Sequence, residues 1–395
     1  MADDIVLAGA VRTAVGTLGG VFAEVHPAKL GTVAAAESLR RASVEPALVD
    51  DLLFGNVIQG GQGMNVARQV AIAAGIPAEA TATTINQACA SGLRAVAMAA
   101  QQIALGDSRI VVAGGAESMS TAPYVLRKAR FGYRMGNGEL VDSMISDGLT
   151  CAIEQYPMGI TAENVAAEMG ITREEQDQFA VESQAKAAAA MESGRFKDEI
   201  VPVEVPQAKG PALVVDKDEH PRPGTTVEKL ARLKPAFKTD GTVTAGNASG
   251  INDGAAAVVV MPAATARELG VRPQARIAGY AWAGVAPRVM GLGPVPAVRK
   301  VLEKTGLKLS DIDLIELNEA FAAQSLGVIE QLGLDRSRLN VNGGAIALGH
   351  PVGASGARIL VTLIYEMARR GGKYGLATLC VGGGQGIAMI VENLM

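Results

Sequence analysis

The chain echoes itself, and the echo limits its architecture more than any other feature. Ile312-Asp313-Leu314-Ile315-Glu316-Leu317-Asn318 follows the pattern of Val49-Asp50-Asp51-Leu52-Leu53-Phe54-Gly55-Asn56. Gly353-Ala354-Ser355-Gly356-Ala357-Arg358 follows Cys89-Ala90-Ser91-Gly92-Leu93-Arg94. The intervals nearly match, 33 residues from Asn56 to Cys89 and 35 from Asn318 to Gly353. Each echo leads into a helical pattern and then a Gly-ended strand, Val111 to Gly115 and Leu376 to Gly384. βαβ units resemble one another without duplication, but three landmarks that keep order and spacing favour two related halves packed about a pseudo-dyad. Strands such as Ile5-Val6-Leu7-Ala8 and the stretch from Val49 to Val57 alternate with helical patterns at Pro27 to Ala42 and Asn65 to Ala74. That alternation predicts an α/β fold with a largely parallel sheet covered on both faces.

The first half is interrupted. Ser118 to Met158 is rich in Met, Gly, Arg and Tyr and lacks clean periodicity. Thr161 to Gly194 is helical, with Glu163, Glu168, Glu174, Glu175, Glu182 and Lys186 placed on exposed faces. Pro202 to Pro235 is charged and Pro-rich. Together they read as an inserted domain. Sheet texture resumes at Ala255-Ala256-Ala257-Val258-Val259-Val260. Near the end, Leu376 to Val391 is almost uncharged, but Gly382-Gly383-Gly384-Gln385-Gly386 breaks it into two buried strands and a turn, too short for a membrane span.

Composition narrows the function classes. Hydrophobic residues make up 49% and charged residues 19%, which is a globular balance. A net charge of −4 gives no support for a nucleic-acid protein. Three cysteines, Cys89, Cys151 and Cys380, cannot form a disulfide framework and suit a reducing compartment. The start lacks the basic and apolar regions of a signal peptide, so the expected location is the cytoplasm, with no membrane partner.

Cys89 lies where a strand end, Ala82-Thr83-Thr84-Ile85, turns into the helical pattern that starts near Leu93. A thiol there meets unpaired N–H groups and the positive end of a helix dipole, both of which favour thiolate. Cys89 is therefore a candidate nucleophile; a small buried hydrophobe is the alternative. Of the three histidines, His26 and His220 sit in polar loops beside prolines and read as exposed or structural. His350 precedes the echo of Cys89, so the pseudo-symmetry brings it to the sheet edge that faces Cys89, as a candidate base. Cys380 ends a strand before a glycine run whose N–H groups suit an oxyanion or simply a tight turn. Asn318 ends the strand whose echo is Asn56, and serves either as a helix cap or as a holder of water or substrate. No Cys or His spacing matches a metal site.

Cys89-Ala90-Ser91-Gly92, Gly246-Asn247-Ala248-Ser249-Gly250, Asn318-Glu319-Ala320-Phe321, Gly349-His350-Pro351 and Cys380-Val381-Gly382-Gly383-Gly384 together resemble the thiolase family. The resemblance runs in order from about Ile5 to Glu392 and is nearest the short-chain biosynthetic type. It implies two βαβαβαββ domains in αβαβα layers, residues 1–118 with 250–274 and residues 275–395, plus a CoA-binding loop domain at 119–249. It implies reversible Claisen condensation of two acetyl-CoA to acetoacetyl-CoA and CoA, or thiolysis of 3-ketoacyl-CoA. Cys89 would carry the acyl group, His350 would activate it, and Cys380 would move the α-proton. Water on Asn318, with His350, would stabilise the enolate, and the N–H groups of Cys89 and Gly382 would form a second oxyanion hole.

By the same resemblance Leu149, Met158, Arg222 and Ser249 would contact CoA, and Phe237, Ala245, Met290, Ala320 and Phe321 would line the pantetheine and acyl tunnel. CoA and acetyl-CoA enter as substrates and no cofactor is held permanently. The seven Lys and Arg between Pro202 and Lys238 fit phosphates or a solvated loop equally well. Family members form sheet-continuous dimers and many form tetramers, and the Tyr124 to Val141 segment suits such contacts, or a mobile loop. Two positions depart from the pattern. Ala90 replaces a Gly, and its methyl is expected to stiffen the turn and crowd the pocket. Pro157 replaces a His of short-chain members, as in the degradative 3-ketoacyl-CoA thiolases, which points to a wider acyl range. A decarboxylating synthase on this fold would carry a second His where Cys380 stands, and a non-catalytic relative would lack the Cys or His.

Overall fold

A computed structural model describes residues 4–395. Its principal sheet holds nine strands: β1 (Ile5–Thr13), β2 (Asp51–Gly55), β3 (Thr81–Ile85), β4 (Val111–Ser118), β5 (Asn252–Pro262), β6 (Ala275–Gly284), β7 (Leu314–Leu317), β8 (Tyr374–Val381) and β9 (Gln385–Asn393). They run in the order β7-β8-β9-β6-β1-β5-β4-β2-β3, and only β7–β8, β2–β3 and β2–β4 pair in parallel. The expected largely parallel sheet is therefore mostly antiparallel, because the last strands of each half return beside their neighbours. Two short strands, Gly16–Thr17 and Ile200–Val201, attach to β5 and β1.

The order hides a repetition. Starting from the middle, β1-β5-β4-β2-β3 and β6-β9-β8-β7 follow the same path, and a parallel bridge from Ile315 to Leu339 supplies the fifth position of the second half. The halves join at Val6 opposite Arg276 and Leu7 opposite Ala275.

Most strands bury both faces, so neighbouring residues belong to different cores, although β3 at the edge exposes Thr81 and Thr83. Val6 and Ala8 of β1 pack outward with Leu30, Ala34 and Leu39 of α1 (Pro27–Ala42) and Val66 and Val70 of α2 (Val66–Ala73). Leu7 faces the centre, with Leu93 and Val96 of α3 (Ser91–Leu105). The second half mirrors this. Leu376 and Ile390 pack outward with Val298 and Val301 of α6 (Pro294–Thr305) and Val328 of α7 (Ala322–Leu332). Ala377, Leu379 and Met389 face the centre, against Ile359 and Leu363 of α8 (Ser355–Arg370). The result is two βαβαβαββ units in five layers, with α3 and α8 in the middle.

Small residues let the central helices touch. A Cβ on Gly92 would lie 2.8 Å from the Ala357 nitrogen, and one on Gly356 would lie 2.5 Å from the Leu93 nitrogen. Both approaches fall in the first turns, so the two helix N-termini converge near the pseudo-dyad.

Between β4 and β5 lie α4 (Met158–Met169), α5 (Arg173–Glu192), a short helix Val227–Ala231, and two small hairpins. The helical run expected from Thr161 to Gly194 is therefore two helices. Gly170 takes φ +67°, and Thr172 restarts the chain with a capping box to Glu175. Glu163, expected on an exposed face, is buried instead. Its carboxylate accepts the N–H groups of Thr242 and Val243 and the Thr242 hydroxyl, which ties α4 to the loop that returns to β5. The insertion is also anchored by charge. Arg12 on β1 donates to Glu199 at 2.6 Å and to Asp218 at 2.7 and 2.9 Å, all three buried. Breaking such a buried pair costs about 3–5 kcal/mol. Among the described residues no helix is long and apolar enough to cross a membrane.

Candidate active site

β3 ends at Ile85, and the chain must reverse before α3. Ala88 makes the bend at φ +44°, a left-handed conformation that costs a non-glycine residue about 1–2 kcal/mol. Ser91 offsets it. Its hydroxyl donates to the Ala88 carbonyl at 2.6 Å and accepts the Gln87 N–H at 2.9 Å, and each such bond is worth about 1 kcal/mol. The bend holds Cys89 half-buried at the apex, packed with Ile58, Met144, Leu149 and Val352. The Ala90 methyl does not crowd the pocket, contrary to the sequence expectation; it is fully buried in the central core with Leu93.

The thiol is also not a resting thiolate. Burial pushes it up to about 11, and the charge of Glu117 adds to that. The N–H groups of Gly382 and of Cys89 itself reach the sulfur and pull the other way without prevailing. Desolvation thus outweighs the helix N-terminus, and Cys89 needs a base.

The candidate base comes from the second half. His350 is buried, and its backbone N–H donates to Asn252 Oδ1 at 2.9 Å. Its Nδ1 lies 2.6 Å from Ser355 Oγ, while the Ser355 hydroxyl donates to the Pro351 carbonyl at 2.8 Å. With its one proton so placed, Ser355 accepts from Nδ1–H, and Nε2 keeps a free lone pair. Nε2 is buried with no hydrogen-bond partner among the described residues. Burial, then the charge of Arg358, lowers the imidazole to about 3, so the ring is neutral and basic at Nε2. Asn318 Nδ2 lies 3.5 Å from His350 Nδ1, and its Oδ1 is likewise buried and unpartnered among the described residues.

Cys380 closes the group. It ends β8, fully buried, packed with Met290 and Ala320 and flanked by Met158 and Phe321. Burial and then proximity to Cys89 hold its thiol well above the usual range. The glycine turn after it brings Gly382 beside Ala88 and Met158, since a Cβ there would lie 3.7 and 3.9 Å from their side chains.

The other sequence candidates fall into two groups. Leu149, Met158, Met290, Ala320 and Phe321 pack against Cys89 or Cys380. Phe237 stacks edge-on against Phe321 at 6.2 Å, and the Ser249 N–H donates to the Ala320 carbonyl at 3.0 Å, so both border that wall. Arg222 and Ala245 instead line an outer groove of about 200 Å³ with Thr225, Lys229 and His220. His220 is buried there, and His26 caps α1 through Nδ1. Sequence reasoning missed Ser355 as the orienting partner of His350, although it quoted Ser355 within the echo. It also missed Asn252, for which nothing local in the sequence gives a signal.

Comparison with known proteins agrees with this fold. Residues 5–264 match the model of the thiolase N-terminal domain, and residues 271–393 match that of the thiolase C-terminal domain. An acetyl-CoA acetyltransferase from Syntrophomonas wolfei is 58% identical over 398 residues, covering 100% of both chains. Another from Pseudomonas aeruginosa is 58% identical, covering 99% of this chain and 100% of its own. Among solved structures, the Bacillus anthracis acetyl-CoA acetyltransferase superposes with a TM-score of 0.97 at 49% identity, covering 99% of each chain. Human mitochondrial 3-ketoacyl-CoA thiolase does so with a TM-score of 0.96 at 46% identity, again covering 99% of each chain. With two matched domain models spanning both halves, the duplicated fold and the paired cysteines have one source: the chain belongs to the thiolase family.

Proposed function

We propose that the chain catalyses reversible Claisen condensation of two acetyl-CoA to acetoacetyl-CoA and CoA, and the thiolysis that reverses it, through an acyl group on Cys89. The observation that carries this reading is that the Cys89 thiol of the first half lies beside Cys380 and the Gly382 N–H of the second, the half that also holds the neutral, buried His350 next to Asn318. His350 Nε2 takes the thiol proton as Cys89 attacks the thioester carbonyl. Because the resting thiol lies high and the imidazole low, proton transfer and C–S bond formation occur together. The N–H groups of Cys89 and Gly382, already aimed at the sulfur, receive the oxyanion.

The expelled CoA thiolate takes the Cys380 proton and leaves as the thiol, so His350 keeps its proton on Nε2, and a second acetyl-CoA enters. The Cys380 thiolate removes an α-proton, and His350 Nε2–H with a water on Asn318 holds the enolate oxygen. The enolate carbon attacks the acyl-Cys89 carbonyl, and the Cys89 sulfur leaves as product forms, taking the proton back from His350. In thiolysis the order reverses and Cys380 returns the proton to the leaving enolate. Each thiol suits its task through burial, since an apolar pocket makes Cys380 a weak acid and hence a strong base once deprotonated.

The chain-specific assignments follow the same reading. Residues 1–118 with 250–274, and 275–395, form the two catalytic domains, and 119–249 recognises CoA. Arg222 and Ala245 meet the outer part of CoA, with Ser249 and Phe237 leading inward to Leu149, Met158, Met290, Ala320 and Phe321. CoA esters are substrates, no permanent cofactor takes part, and the enzyme works in the cytoplasm. The exposed side chains of Phe131, Met135 and Tyr124, 90%, 97% and 60% accessible, support a tetramer built on the Tyr124 to Val141 segment. Pro157 supports a second reading, thiolysis of longer 3-ketoacyl-CoA. Cys89→Ala tests the core assignment: both directions should drop to background while circular dichroism stays that of the wild type, and retained turnover would end the nucleophile assignment.

A further inference from the structure

The pseudo-dyad that builds the site also builds its mirror image, and a carboxylate occupies it. On β2 and β4, Gly55 pairs with Gly115, and on β7 and β8, Leu317 pairs with Thr378. Counting two residues on from Gly115 and Thr378 brings Glu117 opposite Gly254 on β5 and Cys380 opposite Gly386 on β9. Asn56 and Asn318 follow the matching strand ends. Cys89 and Gly353 hold the matching turns, each two residues before the serine that braces it. Cys89 meets Cys380, and in the mirror position Gly353 meets Glu117.

What fills the mirror position is a clasp. Glu117 is fully buried, and its carboxylate receives four N–H donors. Oε1 accepts Asn56 Nδ2 at 3.1 Å and the Ile58 N–H at 3.2 Å; Oε2 accepts the Val57 and Gly353 N–H groups, both at 2.9 Å. Val57 and Ile58 belong to the apolar wall around Cys89, and Gly353 lies three residues beyond His350. Gly353 needs its missing side chain, because a Cβ there would lie 2.7 Å from Glu117 Oε2 and 2.9 Å from the Asn56 Cα.

We propose that Glu117 is a positioning residue for the thiolase reaction: its carboxylate rivets the Gly353 turn of one half to the 56–58 loop of the other and so fixes His350 against Cys89. This rests on the roles given to Cys89 and His350 above. The side chain touches no substrate. Burial lifts the Glu117 carboxyl to about 7, and the N–H groups of Val57, Ile58 and Gly353 oppose that lift by favouring the charged form; an acid or amide would turn a hydrogen toward those N–H groups. Glu117 also adds negative charge beside the Cys89 thiol. The other titratable neighbours are Cys380 on β8, beyond Cys89, and Asp253 on β5, beyond Glu117.

Two substitutions separate position from charge. In Glu117→Gln at least two donors lose their acceptor and the charge disappears. In Glu117→Asp the charge stays but the reach shortens. Both should lower kcat by about 10–100-fold with KM for acetyl-CoA little changed. The pH profile of Cys89 alkylation by iodoacetamide should move to lower pH in Glu117→Gln and stay in place in Glu117→Asp, an outcome a mere stability defect would not give. Wild-type kcat in both variants, or a lower kcat in Glu117→Gln with an unmoved alkylation profile, would overturn the proposal. If iodoacetamide leaves the wild-type enzyme active, the fault lies instead with the assignment of Cys89.

Discussion

Ser355 decides which nitrogen of His350 is bare, and burial decides that the ring is neutral. Without Ser355 the Nδ1–H would be buried with no acceptor, and the wrong tautomer would compete. Ser355→Ala should therefore lower kcat about 10–100-fold while KM for acetyl-CoA changes by no more than about twofold. Steady-state kinetics in both directions check this, and a KM effect alone would point to substrate binding instead. His350 also makes stability pH-dependent. Its folded value near 3 lies below the unfolded 6.5, so the stability it contributes is full above pH 6.5 and is lost as pH falls toward 3. The candidate side chains were legible in the sequence because each is a reactive type at a strand end or turn. Their protonation was not. A helix N-terminus is visible in sequence as a reason for thiolate, whereas the desolvation that overrides it at Cys89 comes from Met144, Leu149 and Val352, which meet only in three dimensions.

At the scale of elements, α1 matches its expected span because Pro27 opens it and His26 caps it locally. The insertion was less legible, since its order comes from long-range ties. Glu163 on α4 reaches Thr242, and Arg12 reaches Asp218, contacts that periodicity cannot reveal. α4 also bears on substrate choice. Pro157 precedes it without a side-chain cap, and Met158 at its first position reaches the Cys380 pocket. A proline at this position offers no hydrogen-bonding ring to a short acyl group. The expected outcome is thiolysis of 3-ketooctanoyl-CoA with kcat/KM within about tenfold of that for acetoacetyl-CoA. Pro157→His should widen the gap in favour of the shorter substrate. A strict preference for acetoacetyl-CoA in the unaltered enzyme would refute this reading of α4.

The whole molecule is a duplicated sheet sandwich in which each half carries part of the candidate site. The first half offers Cys89 on its turn but Glu117 at the strand position where the second half has Cys380. The second half offers Cys380 and His350 but only Gly353 at the turn. Sequence showed the duplication through Asn56, Asn318 and the two Ser-Gly turns. It could not show how closely the halves approach, because the Gly92 and Gly356 contacts that bring the turns together depend on helix packing. The central claim is a division of labour: Cys89 from one half carries the acyl group, and Cys380 from the other moves the α-proton. Acetyl-CoA incubated in deuterated water with Cys380→Ser tests it most directly, with mass spectrometry of the Cys89 peptide and NMR of the acetyl methyl group. The account predicts acetylated Cys89 at near the wild-type rate, with methyl deuteration slowed about 100-fold or more. Wild-type deuteration, or absence of acetyl on Cys89, would contradict it.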